Sequence, residues 1–194
     1  MTTTARPSAA RERILDTATR LFYAKGIRAV GVDLIIAESG VAKATFYKHF
    51  PAKDDLVVAY LDGVDEAWTS QLRAAAAAAG DDPADQIVGL FGALSSACLS
   101  DGYRGCGFLN AAAESPPGTP VHDRTVAHKT AVLAWVRDLA EAAGAVDPDA
   151  LARSITLLLD GGLASGSLDA SPDAPAAAAA AARALVTAAT SHAA

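Results

Sequence analysis

Residues 32–50 read VDLIIAESGVAKATFYKHF, and the reading of this stretch decides the fold. Leu34, Ile35 and Ile36 lie in a short helix that begins after Gly31 and ends at Gly40, and a second short helix spans Ala42 to His49. Ser39-Gly40-Val41 joins them, with glycine supplying the backbone freedom that the turn needs. Pro51 stops the second helix, because the residue before a proline is driven out of helical geometry. At helical spacing Ile35, Val41, Phe46 and Phe50 share an inner side. Lys43, Ala44, Thr45, Tyr47, Lys48 and His49 are left for an outer one. This is the layout of a helix-turn-helix, whose second helix enters the major groove of DNA. The outer set suits that use: lysine reaches phosphate or guanine, threonine offers a hydroxyl and a methyl, and the Tyr47 hydroxyl can donate to a phosphate oxygen. A helical hairpin whose glycine merely caps a helix shows the same spacing, so spacing alone leaves both readings open.

Helical periodicity continues on both sides of this stretch. Upstream, Ile14, Ala18, Leu21 and Phe22 follow Ser8, an N-cap residue, and Gly26 ends a first helix over roughly residues 8–25. Downstream, a long helix runs from about Lys53 through Leu61, Trp68 and Leu72 into Ala74 to Ala79, closed by Gly80. Asp82-Pro83 opens the next, which reaches about Ser100, and a shorter one covers Arg104 to Glu114. Val132, Trp135, Val136, Leu139 and Ala143 form a stripe that ends at Gly144. Asp147-Pro148 opens a helix bearing Leu151, Ile155, Leu158, Leu159, Gly162 and Gly166, and a last, alanine-rich helix covers about 173–189. Nothing alternates with period two. The fold class is therefore all-α with about nine helices, and the alanine runs are helix rather than linker because alanine has the highest helix propensity.

The 194 residues include 48 alanines, and the formal net charge of −6 is unevenly placed. Residues 1–53 hold nine Lys/Arg against four Asp/Glu, whereas the remaining 141 hold seven against eighteen. A basic head on an acidic body points to an anionic partner for the head. No apolar run is long enough to span a membrane, and MTTTARPSAARERILD lacks the apolar core of a signal peptide, so a cytoplasmic location is expected. Cys98 and Cys106 form no CxxC pair, and the four histidines lack metal-ligand spacing. Gly105-Cys106-Gly107 lacks the third glycine of a dinucleotide loop, and no GxxxxGK[ST] or GxSxG occurs. Neither a cofactor nor an enzymatic activity is expected.

Residues 8–60 resemble the DNA-binding domain of the tetracycline-repressor (TetR) family. The resemblance is carried by Ile14, Leu15, Ala18, Leu21 and Phe22, by Lys25-Gly26-Ile27, by Ile35 to Val41, by Lys43-Ala44-Thr45-Phe46-Tyr47-Lys48-His49-Phe50 and by Lys53-Asp54-Asp55-Leu56. It implies a DNA-binding domain over residues 1–52, its first seven residues flexible, and a ligand-binding and dimerisation domain over 53–194. Lys43, Thr45 and Lys48 would then lie at or near base edges, with Tyr47 and Lys53 on phosphates and Ala44 and His49 on the same surface. Two residues depart from the family pattern: Gly31 stands where a phosphate-touching threonine is common, and Ile36 where a small alanine is usual.

For the rest of the chain the resemblance implies a ligand cavity within the fourth to seventh helices and a two-fold dimer built from the last two. Phe91, Leu94, Cys98, Phe108, Trp135 and Leu139 are the apolar candidates for lining that cavity, beside Cys106, Asn110, Glu114 and His122 as polar or reactive ones. Asn110 and Glu114, four apart, can instead cap or bridge helices, and Cys106 is either a sensing thiol or a small hydrophobe. Leu151, Ile155, Leu158, Leu159, Gly162, Gly166, Ala181 and Leu185 are the candidates for a dimer interface, where small residues let helices approach closely. The expected protein is a homodimeric regulator, a repressor released from a pseudo-palindromic operator by a small apolar effector. The alternative is a helical ligand-binding or protein-interaction module that no longer reads DNA.

Overall fold

The computed structural model describes residues 8–169 and 173–191. The expected flexibility of the first seven residues, and His192, lie outside the described residues. These form nine helices and no strand: α1 Ala9–Lys25, α2 Val32–Ser39, α3 Lys43–His49, α4 Lys53–Ala78, α5 Pro83–Cys98, α6 Gly107–Glu114, α7 Pro120–Ala142, α8 Pro148–Asp169 and α9 Asp173–Thr190. Two boundaries differ from the sequence expectation. α6 starts at Gly107, because Gly105 takes a left-handed φ of 80° and breaks the helix that Arg104 was expected to open. α7 starts at Pro120, well before the apolar stripe at Val132, because two of the three residues that its first turns bury at helical spacing, Val121, Thr125 and His128, are polar and do not register as an apolar stripe.

Helix starts follow from local chemistry. Ser8 caps α1, its hydroxyl accepting from the Arg11 amide at 3.2 Å. Asp82, Thr119 and Asp147 each precede a proline that opens a helix. Their side chains accept from the amides of Ala84 (2.8 Å), His122 (3.3 Å) and Ala150 (2.9 Å).

The chain packs as two compact units. The first comprises the described residues up to Val64 with Gly107–Thr125, that is α1 to α3, the first half of α4, α6 and the start of α7. Its core holds Ile14, Leu21, Phe22, Ile35, Phe46, Leu56, Leu61 and Phe108, with Phe22 edge-on to Tyr60.

The second unit comprises Asp65–Cys106 and the described residues from Val126 onward. There α5, α8 and α9 pack on one another around Leu90, Phe91, Leu94, Ile155, Leu159 and Val186. Small residues set the spacing. A Cβ on Gly89 would lie 2.7 Å from the Ala79 Cβ and 2.9 Å from the Ala75 carbonyl oxygen, so α5 approaches α4 as closely as backbone permits. On α8, Gly162 and Gly166 make room for Leu94 and Cys98 of α5. The loop before α6 is tied to α8 by the Tyr103 hydroxyl, which donates to the Leu163 carbonyl at 2.9 Å.

Candidate nucleic-acid interface

The turn between α2 and α3 is built on Gly40, which takes φ 65° while its N–H donates to the Ile36 carbonyl. Val41 and Phe46 then anchor α3 inward, and Phe46 is fully buried between the rings of Tyr47 and Phe50. With that side fixed, Lys43, Ala44, Tyr47 and Lys48 are exposed on the opposite face and Thr45 is half-buried at its edge. Ile35, not Ile36, is the α2 residue sealed in the core, so the larger side chain at position 36 stays at the margin. A Cβ on Gly31 would meet nothing within 4 Å, so packing does not require glycine there.

Two of the expected contact residues are turned elsewhere. The His49 ring Nε2 lies 3.0 Å from the Ser8 hydroxyl, pinning the end of α3 to the start of α1, where Arg11 also covers the Phe50 ring. Lys53 donates to the Ile27 carbonyl at 2.6 Å and lies over the Phe22 ring. Its pKa is lowered because burial disfavours the ammonium, an effect opposed by the carboxylates of Glu114 and Asp54. Lys43 pairs with Asp33 at 3.4 Å, but both side chains are largely exposed and a pair of this kind contributes little. Arg20 pairs with Glu38 and ties α1 to α2.

The candidate effector residues divide between the two units. Phe108, Asn110, Glu114 and His122 belong to the first; Phe91, Leu94, Cys98, Cys106, Trp135 and Leu139 belong to the second. Phe91, Leu94 and Cys98 are closed into the core, with Trp135, Leu139 and Cys106 packed against it. Phe108 is buried beneath the Arg124 guanidinium and Asn110 is exposed. Glu114 is a structural bridge: its two carboxylate oxygens accept from the amides of Ile27 (3.2 Å) and Arg28 (2.6 Å). Both oxygens are thus engaged within the first unit, the contact that the bridging alternative describes. The buried Nδ1 of His122 makes no hydrogen bond among the described residues and lies 3.8 Å from the Asp123 carboxylate. Lys129 pairs with Asp160 and its Nζ lies 3.8 Å from the Cys106 sulfur.

The expected dimer stripe on α8 also needs correction. Leu151, Ile155, Leu159, Gly162 and Gly166 are buried within the chain, Gly162 against Leu94 and Gly166 against Cys98, and Leu158 is half-buried. The outward face of α8 is Leu157, Gly161, Ala164 and Leu168, with Leu157 72% and Leu168 87% exposed. Sequence reasoning missed these four because both faces of α8 are apolar or small, so periodicity could not say which faced in. On α9, Ala181 and Leu185 are exposed as expected, in line with Ala177, Ala184 and Ala188. Among the described residues no group of three or more His, Cys, Asp or Glu could hold a metal ion, and no helix is long and apolar enough to cross a membrane.

Fold and site define an all-helical protein carrying a helix-turn-helix near its N-terminus. Residues 14–60 match the family described as "Bacterial regulatory proteins, tetR family". The transcriptional regulator LmrA of Bacillus subtilis is 37% identical over 94 residues, which span 47% of this chain and 50% of LmrA. The chain thus spans about half the length of that curated relative. Among solved structures, SCO4454, a TetR-family transcriptional regulator from Streptomyces coelicolor, superposes with a TM-score of 0.89 at 38% identity, covering 95% of this chain and 92% of that one. The multidrug binding protein EbrR, solved with malachite green, superposes at 0.73 and 25% identity, over 92% of this chain and 98% of that one. The chain belongs to the TetR family of transcriptional regulators.

Proposed function

We propose that the protein is a homodimeric repressor that reads a pseudo-palindromic operator through paired α3 helices and leaves it when a small, largely apolar effector binds. The observation that carries this reading is the outer face of α3, where Lys43, Ala44, Tyr47 and Lys48 stand exposed on a helix locked from behind by Phe46. Lys43, Thr45 and Lys48 would meet base edges and Tyr47 a phosphate, the division of labour in which phosphate contacts position and base contacts specify. Lys53 would add a second phosphate contact only by turning from the Ile27 carbonyl, so its share is smaller than the sequence suggested.

The domain assignment that goes with this reading has DNA binding over residues 1–52 and effector binding and dimerisation over 53–194. The outward stripe of α8 with the exposed alanines of α9 is the surface on which two copies would meet. A two-fold arrangement suits it, since the same patch then serves both subunits. His122, whose buried Nδ1 makes no hydrogen bond and lies 3.8 Å from the Asp123 carboxylate, is a polar candidate for recognising an effector. The malachite green bound by EbrR supports an effector that is largely apolar. Two heads on successive major grooves must match roughly 34–36 Å, so an effector that alters their separation by a few ångströms weakens operator binding without unfolding either head.

The test is selection of binding sites from a random duplex pool, followed by affinities at two salt concentrations. Enrichment of a palindrome with a steep salt slope supports the reading. A monomer in solution, or weak salt-sensitive binding with no enriched sequence, defeats it in favour of an interaction module.

A further inference from the structure

We propose that Glu114, at the C-terminal end of α6, is the positioning residue that sets the orientation of the reading helices by clamping the Ile27-Arg28 peptide between α1 and α2. The inference rests on the operator-reading role proposed above. Both oxygens of the carboxylate are engaged, one by the Ile27 amide at 3.2 Å and the other by the Arg28 amide at 2.6 Å. Consecutive amides converging on one anion form a nest, and hydrogen bonds of this charged kind are stronger than neutral ones. The same peptide is held from its other side by Lys53, which donates to the Ile27 carbonyl at 2.6 Å. Arg28 closes the clamp by donating from Nε to the Glu114 backbone carbonyl at 3.0 Å.

The sequence makes room for this contact at Gly26. With φ 87° it turns the chain out of α1, and a Cβ there would stand 2.9 Å from the Glu114 Oε1. Any other residue at position 26 would push the carboxylate off the amides. Beyond the clamp, Val30 is fully buried and α2 begins at Gly31, whose lack of a side chain leaves the helix without a side-chain cap. The start of α2 is therefore fixed by what holds residues 27–30, and α3 follows α2 through the tight Gly40 turn. A displacement of the last turn of α6 would reach the start of α2 through the three residues 29–31, and α3 through α2 and the Gly40 turn.

The test uses the full-length protein with Glu114→Ala, Glu114→Gln and, as a control on the exposed side of α6, Ala113→Gln. Each is measured for affinity to the operator selected by the wild type, affinity to an unrelated duplex, and amide hydrogen exchange at residues 27 and 28. For Glu114→Ala the loss of two charge-assisted bonds predicts operator affinity down about tenfold, unrelated-duplex affinity changed less than about twofold, and faster exchange at both amides. Glu114→Gln, which keeps one acceptor oxygen, falls between, and Ala113→Gln behaves as wild type. The proposal is overturned if operator affinity stays within about twofold of wild type, if both duplexes weaken together alongside a lower melting temperature, or if exchange at residues 27 and 28 is unchanged. Should the wild type select no operator, the repressor reading fails and the positioning role with it, while the exchange data still report whether the clamp exists.

Discussion

The two packed units are built on different principles. In the first, polar side chains fix the geometry: Ser8 meets His49, Arg20 meets Glu38, Lys53 holds the Ile27 carbonyl and Glu114 the amides beside it. In the second, the geometry of α5, α8 and α9 is fixed by volume, with Gly89, Gly162 and Gly166 admitting neighbours that a methyl group would displace. A surface that must present particular groups to a partner is held by directional bonds. Among α5, α8 and α9 close fit dominates, with directional contacts such as Tyr103 to Leu163 and Lys129 to Asp160 added around it.

The largest effect expected from this contrast is at Gly89. Gly89→Val would drive two branches into the Ala75 carbonyl and the Ala79 Cβ, backbone and near-backbone atoms that cannot swing aside. Overpacking of this sort costs about 2–3 kcal/mol, so chemical denaturation should show a lower midpoint. A valine accommodated without loss would break the claim that volume governs the second unit.

Next in size is Leu157→Glu, on the outward face of α8. The side chain is 72% exposed, so the protomer should keep its helix content, while dimer dissociation measured by sedimentation should become at least about 100-fold easier. Unchanged dimerisation would place the interface elsewhere.

The first unit is probed by pairing Tyr47→Ala with Thr45→Ala. On the proposed roles, losing Tyr47 as a phosphate contact should weaken all duplexes by about 1 kcal/mol, whereas losing Thr45 as a base contact should cost about 1–3 kcal/mol on the operator alone and relax its sequence at that position. Equal losses on every duplex would erase the division between reading and positioning residues.

What could be read from the sequence follows the same divide. The helix-turn-helix was legible because its signals are local: Gly40 in the turn, Pro51 after the second helix, and apolar residues on one face of a very short helix. The starts of α5 and α8 were legible for the same reason, in Asp-Pro pairs. The start of α7 was not, because Thr125 and His128, which it buries, are polar and break the apolar stripe. Nor were His49 and Lys53, since a side chain that can reach DNA can also reach a neighbouring hydroxyl or carbonyl, and only the three-dimensional arrangement chooses. Glu114 lies 86 residues from Arg28, and nothing in either segment announces the contact. On α8 the signal was present on two faces at once, and the stripe expected to meet a second protomer proved to be the one that meets α5.

A smaller change separates the units by sign. Gly63, in the helical interior of α4, has nothing within 4 Å of where a Cβ would lie, so Gly63→Ala should stabilise by about 0.5–1 kcal/mol through helix propensity alone. The same substitution at Gly89 should destabilise, and thermal melts of the two variants should move in opposite directions.

The smallest expected effect depends on pH and belongs to the first unit. Hydrogen bonding from Arg20, opposed by some desolvation, holds the Glu38 carboxyl below its ordinary value of 4.5. A carboxylate whose pKa is depressed on folding binds its proton more readily in the unfolded chain, so stability falls as acidity rises. The contribution is complete above the unfolded value and is lost as pH drops through the lower folded one. Glu38→Gln should therefore melt slightly below wild type at pH 7, and the difference should close on acidification. Because both partners are solvated, the gap at pH 7 should shrink in high salt as well, the mark of an exposed ion pair. A difference that persisted in acid and in salt would mean that Glu38 holds α2 through packing of its side-chain stem, and that directional bonds account for less of the first unit than its geometry implies.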